Sequence, residues 1–487
     1  MHRRSVGLGR IAVTQKGFSA IFIEPLAFIE SHVNDLAKAV QSRTPQRKLS
    51  QRQQSWLKFC LMGIMMTNTV CWAAFERAGL GHYGVGALSW MFRHSKLLWG
   101  QLLRISVDLV LRHLTITSGA LVADDTDHRR AKQTTQIHGA HKIFDKKTGG
   151  YFNGQAIVFL LLVTSKVSLP VGFRFYRPDP KQMAWRKEEK RLKKQGVKRS
   201  LRPPPPARDP SYPGKTEIVL ELIREFRKNH PEIVVKAVLA DALFGTQRFM
   251  DEAATLTGKA QVISQLHSNQ KTFFRNRVQS LEDYFTAHPG VPQRIRVRGG
   301  EDIEVSVSSA RLHVCAHGKK RFVVALKYPG EITFRYLVAT DLSWRTLDII
   351  QAYTLRWFVE VFFEDWKLYE GWGQLAKHPD EEGSSQGLIL SLLLDHALLL
   401  HPEQRVRLEN NMPACTVGSL RQLSKGEAFL DCVRRILAAE NPAELFSQLT
   451  EKVKTLYPLA PSGKHMSGRD MGRLEPTPSL RCRAEST

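Results

Sequence analysis

Apolar positions along this chain change their spacing near residue 116. From about 50 to 115 they recur at helical intervals, with Gly79, Gly81, Gly84 and Gly86 breaking the run, which predicts a small helical domain. Its most apolar stretch, "FCLMGIMMTNTVCWAAF" (59–75), is short for a membrane span and carries Thr67, Asn68 and Thr69 in its middle, so it predicts a buried helix. Beyond 116 the spacing shortens. "SGALVADDTD" predicts a short apolar strand ending in carboxylates, while 154–164 and 167–176 predict a hairpin in a buried sheet. An amphipathic helix (216–230), a buried strand ending in Asp241 (232–241), a helix near 246–257 and a strand at 260–266 follow. That order predicts an α/β fold, a mixed sheet with helices packed on its faces.

Residues 270–340 read as all-β. "RIRVRGGEDIEVSV" predicts a hairpin turning at Gly299-Gly300. Arg294, Arg296 and Arg298 then share one strand face, either a phosphate-contacting row or a solvated one. One helix is expected from about 345 to 370, and the remainder to about 457 reads as helical, with a buried helix at 388–400. The expected divisions are a poorly ordered 1–48, a helical N-terminal domain at 49–115, the first part of a sheet core at 116–269, a β-rich insertion at 270–340, a helix completing the core at 341–375, a helical region at 376–458 and a disordered tail at 459–487. There are no internal repeats.

Charge narrows the partner. Lys plus Arg number 71 against 46 acidic residues, a net +25 spread along the 487 residues, which suggests a polyanion: nucleic acid first, a membrane surface second. Passive RNA-binding proteins share this balance, so charge alone does not make an enzyme. The densest stretch, 178–214, is rich in charge and proline and reads either as a solvated loop or helical spur or as a DNA-binding arm. Six cysteines without a CxxC pair fit a reducing cytoplasm and suggest neither disulfides nor a zinc knuckle. The basic start lacks a signal-type apolar region, and no membrane partner is expected.

The chemistry converges on "YTLRWFVEVFFEDWK" (353–367). At about 100° per residue, Tyr353, Arg356, Glu360 and Lys367 fall on one narrow helical stripe, with Phe358, Val359, Phe362 and Trp366 on the far side to anchor it. Standing alone, Glu360 would be the i+4 partner of Arg356. It is preceded, however, by two strand-end aspartates, "ALVAD" at Asp124 and "AVLAD" at Asp241, and sites in open α/β sheets gather at carboxyl strand ends. Three convergent carboxylates repel one another unless cations neutralise them. Hard oxygen ligands suit Mg²⁺ or Mn²⁺, and two such ions serve in-line displacement at phosphorus. The substrate class is then DNA or RNA, cut or joined at its backbone.

Here a resemblance enters. The spacing Tyr353-x2-Arg356-x3-Glu360-x6-Lys367 resembles the Y-(2)-R-(3)-E-(6)-K signature of bacterial insertion-sequence DDE transposases of the insertion-sequence-4 family. "ADDTD" (123–127) and "LADALFGT" (239–246) resemble that family's first and second acidic motifs, and the likeness covers roughly residues 50–450. It implies a ribonuclease-H-like fold with helices on both faces and Asp124, Asp241 and Glu360 as catalytic metal ligands. Asp125 stays as the rival to Asp124, Asp127 reads as a loop residue, and Glu364 lies close to the Glu360 stripe. The resemblance also implies that Tyr353, Arg356 and Lys367 contact DNA phosphates. Tyr336 takes the place of a base-stacking aromatic, with sheet packing as its alternative. A homodimer acting on double-stranded DNA, at terminal inverted repeats and target sites, would follow. The other readings are a ribonuclease-H-like nuclease without strand transfer and a non-catalytic DNA-binding derivative. His138 and His141 sit near the first motif within reach of DNA or as bland packing residues, and His313, Cys315 and His317 alternate along an expected strand.

Overall fold

The computed structural model describes residues 24–130, 137–145, 147–296, 300–372 and 380–459. Phe28, Ile29, Val33, Leu36 and Val40 recur at helical spacing, and Ala27–Arg43 folds as α1 with those side chains buried. The part of 1–48 from residue 27 to 43 is therefore an ordered helix of the core, not the loose segment expected. Helix α2 (Gln51–Thr67) opens with a capping box: Ser50 accepts from the Gln53 amide and Gln53 returns the bond to the Ser50 amide. It closes on Asn68 in the left-handed conformation, so the polar triplet ends the helix instead of interrupting it. α3 (Trp72–Ala78), α4 (Val85–His94) and α5 (Trp99–His113) follow, with Trp56 ringed by Trp72, Phe92 and Trp99.

Strands β1 (Ser118–Arg129), β2 (His141–Asp145), β3 (Gly150–Val163) and β4 (Ser168–Tyr176) lead to α6 (Pro180–Lys194) and α7 (Lys215–Asn229), then β5 (Val234–Ala240), α8 (Gln247–Leu256) and β6 (Gln261–Leu266). Neighbouring strands run β4-β3-β1-β5-β6; β3 is antiparallel to β1 and β4, while β1, β5 and β6 are parallel with α7 and α8 in the crossovers. This is the ribonuclease-H-like arrangement. β1 runs past its carboxylates to Arg129, because β3 pairs with it as far as Gly154, so it is longer than the strand expected to stop at Asp124.

β7 (Lys271–Phe274), β8 (Arg277–Ser280), α9 (Leu281–Ala287), β9 (Val291–Arg296), β10 (Asp302–Val314), β11 (Lys319–Lys327) and β12 (Arg335–Ala339) come next. β12 pairs antiparallel with β6, so these strands extend the core sheet to twelve strands among the described residues. The chain ends in α10 (Thr346–Thr354), α11 (Trp357–Tyr369), α12 (Glu381–Leu399), α13 (Pro402–Glu409), α14 (Val417–Leu437) and α15 (Pro442–Leu456). The single helix expected over 345–370 is broken: the amides of Leu355, Arg356, Phe358 and Val359 reach carbonyls three residues back, a tightened turn between α10 and α11. α12 is buried almost throughout and packs on α5, α2 and α1. Among the described residues no single helix is long and apolar enough to cross a membrane; α12 and α13 meet that test only as a pair bent by 50°.

Alternation divides the core. Ala120, Val122, Ile157, Phe159 and Leu239 face the layer holding α2, α11 and α12, while Leu121, Ala123, Val158, Leu160 and Ala240 face α7 and α8. The site is built on the first of these faces.

Candidate active site

β1 and β5 are parallel, with Ala123 opposite Ala240 as their last paired residues. The next residue on each is an aspartate, so Asp124 and Asp241 emerge side by side at one sheet edge. Period-2 alternation turns Asp124 toward the α11 face and Asp125 to the other. Asp125 Oδ2 lies 2.5 Å from Lys215 Nζ, at the start of α7. Asp124 Oδ2 lies 2.5 Å from the Arg356 guanidinium, which also stands 3.5 Å from Glu360 Oε1. The two rival aspartates thus occupy opposite faces, and Asp124 shares its face with Glu360. Asp127 belongs to β1 and is no loop residue; its carbonyl accepts from Lys367 Nζ at 3.0 Å.

Asp241 ends β5 by capping the turn Ala242–Phe244, accepting from the Leu243 amide at 2.9 Å, and its carbonyl accepts from Ser264 Oγ at 2.6 Å. The glycine of "LADALFGT" has a local reason: a Cβ on Gly245 would meet the Gln265 carbonyl oxygen at 2.2 Å. His317 supports the same loop by hydrogen bonding to the Gly245 carbonyl and to Arg321. β10 stops at Val314 and Cys315–His317 forms a short turn, which overturns the expected alternation of His313, Cys315 and His317 on one strand.

Despite the break before α11, the four signature residues point at the same rim. The Tyr353 hydroxyl donates to the Ala240 carbonyl at 3.2 Å, at the end of β5, and Arg356 and Lys367 reach β1 as described. Val359, Phe362, Phe363 and Trp366 anchor α11 from behind, with Trp366 edge-on to Phe159 at 5.0 Å and stacked on Trp372 at 4.5 Å. Phe358, expected among the anchors, is instead exposed, because it lies at the edge of the α11 face that Val359, Phe362, Phe363 and Trp366 bury. Glu364 is exposed one turn beyond Glu360.

Burial lifts the Asp124 carboxyl to about 7; the Arg356 guanidinium opposes the shift and the Asp241 charge adds to it. Burial lowers Lys367, against the fields of Asp127 and Glu360, and raises the Tyr353 hydroxyl. Arg356 is pulled two ways. Burial disfavours its charge, but Tyr353, Asp124, Glu360 and Asp241 together prevail and raise it. Arg356 is thus a neutralising partner of the acidic group in this state, a contact that sequence alone assigned to DNA phosphate.

The donor set is three carboxylates on one face, one buried and held near neutrality, which fits a hard divalent cation by its chemistry. The guanidinium lies between Asp124 and Glu360, and among the described residues no three acidic, histidine or cysteine side chains already form a metal cage.

Other expected contacts scatter. Tyr336 is 4% exposed, pairs with Ala325 and Leu266 in the sheet and packs on Phe285, so it is a core residue here and not an exposed stacking platform. Arg294 and Arg296 are exposed on β9, where Arg294 lines a groove of about 550 Å³ beside α10; Arg298 lies outside the described residues. His138 is buried against Phe175, with Glu381 3.6 Å away, and His141 bonds the Gly139 carbonyl. Lys215 was missed by sequence reasoning, since nothing local ties it to Asp125, ninety positions earlier.

A family model described as "DDE superfamily endonuclease" matches residues 47–311, more than half of the chain. The chain belongs to that family. The matched span includes Asp124, Asp125 and Asp241 and stops before α11. No curated protein matches the chain.

Proposed function

As a DDE superfamily endonuclease, this chain is, we propose, a transposase of the insertion-sequence-4 type that cuts DNA at element ends and joins them to target DNA. The observation that carries this reading is the Ala123–Ala240 register, which sets Asp124 beside Asp241 under the α10–α11 region that bears the Y-R-E-K residues. Asp124, Asp241 and Glu360 would hold Mg²⁺ or Mn²⁺. Such an ion, when bound, supplies Lewis-acid stabilisation of charge at the reacting phosphorus.

The chain's own residues prepare the rim. Tyr353 and Lys367 tie the α10–α11 region to the ends of β5 and β1, which holds Glu360 over the aspartates. Arg356 neutralises Asp124 until a DNA phosphate offers its guanidinium a competing, bidentate partner. Its departure frees Asp124 and Glu360 together. Joining two element ends calls for a homodimer on DNA, working in a bacterial cytoplasm.

The test is direct. Purified protein with Mg²⁺ and a duplex carrying the element's terminal repeat should nick the end and, with a plasmid present, give joined products. Cleavage without joining would favour a nuclease lacking strand transfer. Undiminished cleavage by Asp241→Asn and Glu360→Gln proteins would remove these residues from the site.

A further inference from the structure

Helix α6 and the segment after it form an arm that the site does not use. Asp179 caps α6, accepting from the Lys181 and Gln182 amides, and Pro180 takes the first turn. The proline run 203–206 folds back along the helix. Trp185 Nε1 donates to the Pro203 carbonyl at 2.8 Å, Gln182 to the Pro206 carbonyl at 2.7 Å, and Arg202 pairs with Glu189 at 2.7 Å. No residue of α6 is buried, so the helix is held by this proline brace and not by the core. At about 1.5 Å per residue it is about 22 Å long.

Its charge is one-sided. Between 180 and 207 there are ten Lys or Arg and two Glu, a net +8. Trp185, Gln182 and Glu189 share the braced face, and Glu188 is consumed by Arg191. At about 100° per residue, Arg186, Lys187, Lys190, Lys193 and Lys194 fill a sector of about 120° turned away from the brace. All five are exposed.

The arm is rooted at the acidic rim. Tyr176, the last residue of β4, pairs with Ala156, and Ala156 pairs with Asp127 of β1. Two strand spacings put the root about 10 Å from Asp127, which lies three residues along β1 from Asp124. The chain returns at Lys215, which sits over the Tyr176 ring and contacts Asp125. Arg177 over Tyr212, and the Arg208–Glu217 pair, brace the base.

We infer that the α6 arm is a sequence-independent clamp on the phosphate backbone of duplex DNA flanking the bond to be cut. It rests on the reading of the chain as a DNA-cutting enzyme. A rigid cationic stripe of this length fits a row of phosphates, and the proline brace holds its geometry before DNA arrives, which lowers the cost of ordering on binding.

The full-length protein with Arg186, Lys187, Lys190, Lys193 and Lys194 all changed to Gln tests the clamp. Binding to a fluorescent duplex of unrelated sequence is measured by anisotropy without divalent metal, over a salt series. The variant should lose at least about tenfold in affinity at low salt, and its log–log salt slope should shrink by several units, about 0.9 for each phosphate contact removed. Its melting temperature should match wild type, because no core contact changes. Equal affinity and slope would overturn the clamp. So would a loss confined to anionic vesicles or to double-stranded RNA, run as parallel arms. Cleavage of end DNA with Mg²⁺ separates the two readings. A wild type that binds duplex but never cuts sinks the transposase reading alone, whereas one that cuts while the variant binds undiminished sinks the clamp alone.

Discussion

Helix α11 has acidic groups near both ends, and their surroundings differ in kind. Near its start, Glu360 shares the Arg356 guanidinium with Asp124, and Lys367 lies a few turns on. Beyond its end, Glu370 and Asp395 are buried beside each other, and the Arg421 charge that opposes the rise at Glu370 does not outweigh burial. Burial raises both, Glu370 well above the carboxylate range and Asp395 to about 7, with the charge of Asp365 adding to each. A buried carboxyl either finds a cation or keeps its proton. The rim took the first course, which suits a place where charge is exchanged with substrate and metal; the buried pair took the second, which suits packing.

The largest effect separates these groups by activity. Asn at Asp124 or Asp241, or Gln at Glu360, should each lower DNA cleavage by about 10³-fold or more, with melting temperature held within a few degrees. Glu370→Gln and Asp395→Asn should leave cleavage within a few-fold of wild type. A rim variant that cuts normally, or a buried-pair variant that is dead while folded, would break the contrast.

Arg356→Ala should come next. It strands a largely buried carboxylate and should cost about 1–3 kcal/mol in denaturant unfolding at pH 8. Adding Asp124→Asn should restore part of that loss; no restoration would mean that the pair is not the source.

pH sharpens the buried side. A carboxyl whose folded value is raised favours the folded state while protonated, and that advantage is lost as pH climbs from the ordinary carboxylate range through about 7. Wild type should therefore lose stability, relative to a Glu370→Gln/Asp395→Asn protein, between about pH 4 and 7. Parallel melting curves for the two proteins would refute it.

The smallest effect is expected at Asp125. Its partner Lys215 lies on the opposite face, so Asp125→Asn should change cleavage less than about threefold and stability by less than about 1 kcal/mol. A dead but folded Asp125→Asn protein would reverse the assignment of the first carboxylate.

Much of this molecule could be read without coordinates because burial repeats with backbone period. The strand–hairpin–helix–strand order and the paired "ALVAD" and "AVLAD" endings are local patterns, and the sheet order and the family match over 47–311 agree with the fold they imply. Helix α1 also had a readable period, in Phe28, Ile29, Val33, Leu36 and Val40, masked by the basic, mixed residues before it. Other features had no local trace. The turn between Thr354 and Trp357 is set by how α10 and α11 each dock.

Charge partnership was the least legible property, because it depends on residues brought together from far apart. "YTLRWFVEVFFEDWK" prescribes a helix-forming stretch with four spaced polar residues. Only the packed sheet puts Arg356 against Asp124, 232 positions earlier, and turns Asp125 toward Lys215. Side-chain period is a property of a few consecutive residues. Which carboxylate meets which cation depends on the layers that fold over each face of the sheet.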